Sequence, residues 1–380
     1  MRRLSAFIVL AAFSFSSASL QAADPIRIGG MFETSGSIAS LGTQGLEGAT
    51  IALQQINAAG GINGRQLELV QINTESDETK TVTAAKRLIE RENVAAIVGP
   101  HGSGACMAML DVIQRGQIPM ICNGASMKVA GPAKDRKWVF SATSTDAALI
   151  TVEIRHMKAN NVSKVALINT DSGFGVSGRE QWERLLPANG LTLVIQETFS
   201  NSDQDVTPQM SKIKSSGAEA TVLWASGPAQ AIALRNYRQL GINLPIYLPN
   251  GATDPNLSRL AGAAVNGVLF SNSKLTIWEH LPDNDPQKTL FRTFVSDFQA
   301  KYGRAPTGFA GNGYDSIKVI AAAIAKVGPE PAKVRDAIEG LKNFLGVTGI
   351  YSYSSEDHYG IQEATLVMQT VEGGKFAPVK

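Results

Sequence analysis

The chain alternates short apolar stretches, typical of buried strands, with amphipathic stretches typical of helices. The alternation starts at Ile26, runs to Cys122 and begins again at Lys164. Alternating strands and helices indicate parallel sheets whose crossovers are covered by helices. The mature chain of about 358 residues exceeds what one hydrophobic core usually serves. We therefore predict an α/β fold with two lobes, each a parallel sheet flanked by helices.

The predicted elements fall into two similar series and a helical tail. The first series has strands at 26–32, 67–73, 94–98 and 118–122, with helices near 43–59, 79–91 and 103–115. The second has strands at 164–170, 192–197, 220–225, 245–248 and 267–271, with helices near 177–188, 206–216 and 228–240. The tail is mostly helical from 286 to 341 and then has strand-like segments at 346–353 and 364–371.

The late return to helices predicts a chain that crosses between the lobes more than once. Short crossings are expected near 140–144, 271–274 and 345–353. The predicted first lobe comprises 23–142 and 272–348, and the second lobe comprises 143–271 and 349–380. No low-complexity linker separates them, so the crossings are predicted to be hinges.

The first 22 residues have the pattern of a secretory signal peptide. Arg2 and Arg3 precede an apolar stretch at 4–15 and a small, polar stretch at 16–22. The apolar stretch is shorter than the roughly 20 residues that a spanning helix needs. We expect cleavage within a residue or two of Ala22, and export to the periplasm of a Gram-negative cell or to the medium. The signal contains no cysteine, so we expect no lipid anchor.

Net charge argues against a nucleic-acid partner. The formal charge of +2 falls to about zero once Arg2 and Arg3 are removed. The remaining lysines and arginines are scattered rather than clustered, whereas nucleic-acid binders carry basic patches.

Two polar turns follow neighbouring predicted strands of the first series. Ser103 stands where a helix N-cap is expected, and residues 123–126 (Asn-Gly-Ala-Ser) supply backbone and hydroxyl donors. Parallel sheets keep their ligand crevice at this edge, so the two turns predict a carboxylate-binding cradle. No catalytic base accompanies them, which favours binding over chemistry.

Cys106 and Cys122 are the only cysteines, and both are predicted at this same edge. An oxidising compartment permits a disulfide between them. Two buried free thiols are the alternative, since cysteine is among the most buried residue types.

Several functional motifs are absent from the sequence. The chain lacks a P-loop, a dinucleotide fingerprint and the G-x-S-x-G nucleophile elbow. His101 is a candidate base for Ser103, but residues two apart do not readily meet at a helix start, and no acid to orient the imidazole is evident. The histidines lack metal-ligand spacing, so neither a metal nor a cofactor is expected.

Several segments together resemble the periplasmic solute-binding proteins of branched-chain amino acid ABC importers, the leucine/isoleucine/valine-binding type. The resemblance rests on IRIGGMFETSGSIASLGTQGLEGATIALQQINAAGGINGRQLELV, IVGPHGSGACMA, IPMICNGAS, VALINTDSGFGVSG and LPNGATDP, in this order and spacing. It implies the two-lobed fold of type I periplasmic binding proteins, with three hinge crossovers. It also implies a non-enzymatic receptor that closes on a small carboxylate and delivers it to an inner-membrane ABC permease.

The resemblance assigns ligand contacts position by position. Ser103 and Ser126 would supply hydroxyls and Gly124 backbone to the ligand carboxylate. From the second lobe, Phe174 would place its ring against the ligand, or else pack within its loop. Ser226, after the strand that contains Trp224, is a further expected contact.

One position departs from the family pattern. Amino acid binders place an acid in the second lobe to pair with the ligand ammonium, and Asn250 stands at the matching position. Asp254 could substitute if its loop folded inward, although Asp-Pro is also a standard helix start. The predicted ligand is therefore a branched-chain or other amino acid, or an acid without an amino group, such as an aromatic acid. A ligand sensor of the same fold is a further alternative, and an exported serine hydrolase is disfavoured.

Overall fold

The computed structural model describes residues 24–379. The predicted signal peptide lies outside these residues. Within them, none of the helices combines the length and the apolar character that a membrane crossing requires.

The first lobe is built on a five-stranded parallel sheet in the order β2-β1-β3-β4-β5. Its strands are β1 Ile26–Phe32, β2 Leu67–Asn73, β3 Ile97–Val98, β4 Met120–Cys122 and β5 Val139–Ser141. The helices within this part of the chain are α1 Ala39–Ala58, α2 Glu78–Glu90, α3 Ser103–Ala108, α4 Leu110–Gly116 and α5 Met127–Ala130.

The second lobe is built on a seven-stranded sheet in the order β14-β13-β10-β9-β8-β6-β7. Its helices are α6 Asp146–Ala159, α7 Gly173–Ala188, α8 Thr207–Ser215, α9 Gly227–Gln239 and α10 Pro255–Ala261. Its strands are β6 Lys164–Thr170, β7 Thr192–Phe199, β8 Ala220–Trp224, β9 Ile246–Leu248, β10 Leu269–Ser273, β13 Leu366–Glu372 and β14 Lys375–Pro378. The last two strands pair antiparallel, and the others pair parallel.

Between β10 and β13 the chain returns to the first lobe. This segment contains α11 Lys288–Tyr302, α12 Gly308–Val327, α13 Pro331–Glu339 and the short strands β11 Phe344–Leu345 and β12 Ile350–Tyr351. Helix α12 packs closely on α1, because Gly48 faces the Ala310 carbonyl and Gly313 faces the Gly45 carbonyl. A Cβ at either glycine would come within 2 Å of that carbonyl oxygen. The described chain thus passes between the two sheets three times.

The predicted two-lobed α/β fold is confirmed, with differences in single elements. The helix predicted at 103–115 is broken at Met109 into α3 and α4. Helix α6 was missed, although Thr145 caps it by accepting a hydrogen bond from Ala148 N at 3.1 Å. Its buried face includes Asp146 and Glu153, which hides the apolar pattern. Strands β5 and β14 were also missed.

Candidate functional site

The carboxyl ends of strands from both sheets meet around a cavity of about 50 Å³. The first lobe contributes Ile38, Leu41, His101, Gly102, Ser103, Asn123, Ala125 and Phe309, and the second contributes Phe174, Ser226, Asn250 and Gly251. Four of the seven predicted ligand contacts therefore line one cavity: Ser103, Phe174, Ser226 and Asn250. Gly124, Ser126 and Asp254 are not among its lining residues.

Ser103 presents its hydroxyl group to this cavity from the first turn of α3. Its Oγ accepts a hydrogen bond from Ser126 N at 3.3 Å, so the hydroxyl hydrogen is free to be donated. The helix begins one residue earlier than the sequence suggested, because Gly102 rather than Ser103 is the N-cap. Ser103 is thus a cavity-facing donor rather than a helix cap.

The carboxylate of Glu33 occupies the turn before α3. It accepts hydrogen bonds from Gly102 N at 2.8 Å and from His101 N at 3.1 Å. Burial raises the pKa of Glu33, and these backbone bonds act in the opposite direction. The N–H groups of His101 and Gly102 are therefore satisfied by the protein's own carboxyl group and are not available to a ligand.

A disulfide joins Cys106 in α3 to Cys122 at the end of β4, with their Cα atoms 6.4 Å apart. Both residues are fully buried. Gly124 N donates to Cys122 Sγ at 3.3 Å, and a Cβ at Gly124 would lie 2.9 Å from Ser103 Cα. Gly124 therefore allows the two polar turns to pack together, rather than lining the cavity.

The Ser126 hydroxyl points into a buried network between the lobes. Ser126 Oγ donates to Ser177 Oγ at 2.7 Å, and Ser177 donates to the Asp146 carboxylate. Burial raises the pKa of Asp146 to about 6. Ser126 Oγ also accepts from Lys128 N, so it caps α5. Its hydrogen-bonding capacity is used within the protein, which explains why it does not serve the cavity.

The second lobe presents an aromatic ring, a hydroxyl and an amide to the cavity. Phe174 stacks on Trp224 with ring centroids 5.5 Å apart and an interplanar angle of 28°. Trp224 is fully buried, as expected for a residue within a strand. Ser226 precedes α9 without capping it through its side chain, and Asn250 begins the turn after β9.

Asp254 is the N-cap of α10 and accepts a hydrogen bond from Asn256 N at 3.0 Å. It also accepts from Ser40 Oγ of α1 at 2.6 Å, which links the two lobes. Burial raises its pKa. The loop does not fold inward, because both roles hold the carboxylate away from the cavity.

The sequence did not single out several lining residues as ligand contacts. His101 was considered only as a base, and Asn123 only as part of a polar turn. Asn123 Oδ1 accepts from Ser316 Oγ at 2.9 Å, whereas its Nδ2 is buried without a partner among the described residues. Phe309 reaches the cavity from α12, so no local signal could have revealed it.

The residues of the cavity do not form a catalytic triad. Within the described chain, neither ring nitrogen of His101 has a hydrogen-bond partner, so the imidazole does not bond the Ser103 hydroxyl. No group of three or more His, Cys, Asp or Glu side chains in residues 24–379 is arranged to hold a metal ion.

A smaller polar cavity of about 10 Å³ adjoins the first and shares Asn250 and Phe309 with it. Its other lining residues are Thr143, Ser144, Thr253, Asn272, Ser273, Gly308, Asn312 and Thr348. None of these side chains is ionisable. Among residues 24–379, His101 is the only titratable group that lines either of these two cavities.

Comparison with known proteins gives a consistent result along the chain. A family model described as "Periplasmic binding protein" matches residues 25–375. A Leu/Ile/Val-binding protein homologue of Brucella abortus is 26% identical over 98% of this chain and 95% of its own length. A leucine-, isoleucine-, valine-, threonine- and alanine-binding protein of Pseudomonas aeruginosa is 26% identical over 87% of this chain and 86% of its own.

Solved structures show the same architecture. The branched-chain amino acid transporter substrate binding protein of Streptococcus pneumoniae, in complex with isoleucine, has a TM-score of 0.82 and 27% identity. The alignment covers 93% of this chain and 97% of that one. An extracellular ligand-binding receptor of Rhodopseudomonas palustris, at 23% identity, has a TM-score of 0.87 over 93% of this chain and 99% of its own.

Proposed function

The chain belongs to the periplasmic binding protein family, and from this premise we propose that it captures a small carboxylate ligand between its lobes. In this proposal the exported protein performs no chemistry and delivers the ligand to an inner-membrane ABC permease. The observation that carries the proposal is one cavity whose walls come from both lobes, with the hydroxyl of Ser103 on one side and the ring of Phe174 on the other.

Contacts between the lobes support a hinge mechanism. Ser40 of α1 donates to Asp254 in the second lobe, and Lys128 of α5 pairs with Glu180 of α7 at 2.7 Å. A ligand that touches both walls stabilises this closed arrangement relative to an open one. The conformational change then requires no energy source other than differential binding.

The ligand class follows from the charges at the cavity. No carboxylate from the described residues lines it, because Asn250 is neutral and Asp254 is engaged as a helix cap. A buried ammonium group without a countercharge is costly. Acids without an amino group are therefore favoured over amino acids, although the named relatives are amino acid binders.

A thermal-shift series with matched compounds tests both proposed features of the ligand, namely the presence of a carboxylate and the absence of an ammonium group. L-leucine, isocaproate and isocaproamide differ only in the ammonium or the carboxylate, and phenylalanine with hydrocinnamate gives an aromatic pair. A ligand at 100 times its Kd stabilises the folded state by about 2.7 kcal/mol. We expect the acids to shift Tm more than the corresponding amino acids, and isocaproamide to give no shift.

Asn250→Glu sharpens this test, and Asn250→Gln is its matched control. The carboxylate of the glutamate variant would supply the missing countercharge for the ligand ammonium. The ratio of the affinity for L-leucine to the affinity for isocaproate should therefore increase roughly tenfold. The glutamine variant should keep the wild-type preference. A wild-type response to isocaproamide equal to that of isocaproate would contradict the proposed carboxylate ligand.

A further inference from the structure

His101 is a buried histidine that lines the cavity between the lobes, and its ring nitrogens make no hydrogen bond to any residue of the described chain. Its ring packs against Phe32 and Phe309, with centroids 6.1 Å and 6.2 Å away. On its other side lies Gly45, where a Cβ would come within 2.0 Å of the ring. A glycine in α1 is thus required to seat the imidazole, which is held beside the cavity with its hydrogen-bonding capacity unused.

Burial favours the neutral form of the His101 imidazole. Burial lowers the pKa of His101 to about 4. The backbone of Phe309 acts to raise this pKa, although no hydrogen bond of normal geometry joins it to the ring. An imidazolium at this position would be desolvated and without a hydrogen-bond acceptor on its ring. A ligand atom that accepts a hydrogen bond from the ring would change this balance.

Glu33 is the ionisable group that faces His101. Its Oε2 lies 3.9 Å from His101 Nδ1, and both of its oxygens accept hydrogen bonds from the turn at 101–102. Phe32 of β1, Gly45 of α1 and Phe309 of α12 also pack against the ring, and none of them titrates. Glu33 is therefore fixed where it can stabilise a positive charge on the ring.

Charge balance requires a cation when a carboxylate enters. No lysine or arginine of the described chain lines the cavity. Hydrogen bonds from Ser103 and Asn123 solvate an anion in part, but a buried charge without a counterion is costly. His101 is the only lining side chain that can acquire a positive charge.

We propose that His101 takes up one proton from solvent when a carboxylate ligand binds, and that Glu33 is the positioning residue that stabilises the resulting imidazolium. The new N–H bond on the ring is donated to the ligand carboxylate. Ligand capture is thereby coupled to pH. The site can select an anion although no lysine or arginine of the described chain lines it. The inference rests on the proposed carboxylate ligand and adds the origin of its countercharge.

Calorimetric titration of the mature protein with isocaproate and hydrocinnamate tests the coupling. Measured in phosphate and in Tris, which differ in ionisation enthalpy, the apparent binding enthalpies give the number of protons taken up. We expect about one proton per ligand near neutral pH, and a Kd that increases about tenfold per pH unit between the pKa of His101 in the free protein and its higher pKa in the loaded state.

Three variants locate the proton. His101→Gln keeps an N–H donor but cannot titrate, so it should abolish proton uptake and the pH dependence of Kd. Glu33→Gln should keep the uptake but move its midpoint to lower pH, which a purely structural role would not do. His280→Gln, at an exposed histidine, is the control and should behave as wild type.

The outcomes separate this inference from the proposed function. Tight binding of either acid without proton uptake overturns the role of His101 and leaves the carboxylate ligand intact. Undiminished proton uptake on ligand binding by a folded His101→Gln variant would likewise overturn the role of His101 and leave the carboxylate ligand intact. If His101→Gln does not fold, the wild-type proton count decides alone. Failure of both acids and both amino acids to bind overturns the proposed function and the inference with it.

Discussion

The first-lobe wall of the cavity carries hydrogen-bond donors held by a disulfide, whereas the second-lobe wall carries a stacked phenyl ring, a hydroxyl and an amide. Cys106 and Cys122 tie together the turns that place Ser103 and Asn123. Phe174 is held instead by its stacking on Trp224. In the proposed function, the first lobe would therefore fix the carboxylate and the second would select the rest of the ligand.

Removing the disulfide should have the largest effect on the first lobe. Cys106→Ala with Cys122→Ala opens a link across 16 residues of sequence. For a loop of this length we expect a loss of about 3 kcal/mol in the free energy of unfolding, because the unfolded chain gains conformational freedom. Denaturant unfolding measures the change. An unaltered midpoint would show that packing alone holds the donor wall.

The second lobe has its own sensitive position, the buried carboxyl group of Glu153 in α6. Its Oε1 accepts from Ser271 N at 3.2 Å and from Ser271 Oγ at 3.0 Å, whereas Oε2 has no partner among the described residues. Burial raises its pKa from 4.5 to about 8. Between these pH values the unfolded chain has released a proton that the folded state still holds, so stability decreases as pH rises.

Glu153→Gln should remove this decrease. The variant should be more stable than wild type at pH 8 by about 4 kcal/mol, and the advantage should vanish below about pH 4.5. Denaturant unfolding at a series of pH values gives the comparison, with Glu372→Gln at an exposed site as the control. Parallel pH profiles for wild type and Glu153→Gln would be inconsistent with a neutral, buried Glu153.

Phe174→Ala tests the apolar side of the second wall. Loss of the ring removes apolar contact with the ligand, so we expect affinity for hydrocinnamate to decrease roughly twentyfold. The preference for hydrocinnamate over its amide should persist, because the carboxylate is held by the other lobe. Calorimetry on both compounds measures this, and loss of that preference would contradict the division of roles.

Ser103→Ala should have the smallest effect, a decrease of roughly tenfold in affinity for the carboxylate, because one hydrogen bond to a charged group is lost. Ser126→Ala is the matched control, since its hydroxyl bonds Ser177 rather than the cavity. The control should lower Tm but keep the discrimination between carboxylate and amide. Equal affinity losses in both variants would mean that Ser103 acts only through packing.

The sequence was sufficient for elements that have a continuous apolar signal. Strands β1, β2 and β6 have the predicted bounds. Strands β1 and β6 are almost entirely buried, whereas β2 is a partly exposed edge strand whose apolar residues still stand out between polar turns. Helix α6 was missed, because the ionisable side chains of Asp146 and Glu153 lie on its buried face.

The site was predictable only where its residues follow the strands directly. Ser103, Phe174, Ser226 and Asn250 satisfy this condition, and all four line the cavity. Phe309 arrives from a helix far along the sequence. The use of Glu33 as an internal acceptor depends on the packing of two turns, which no local pattern encodes.

A crystal structure of the protein with hydrocinnamate tests the assignment of roles to the two walls most directly. The account predicts that the ligand carboxylate lies within hydrogen-bonding distance of Ser103 and His101, with its phenyl ring against Phe174. A carboxylate bound instead to Ser226 and Asn250, with the ring directed at the first lobe, would contradict it.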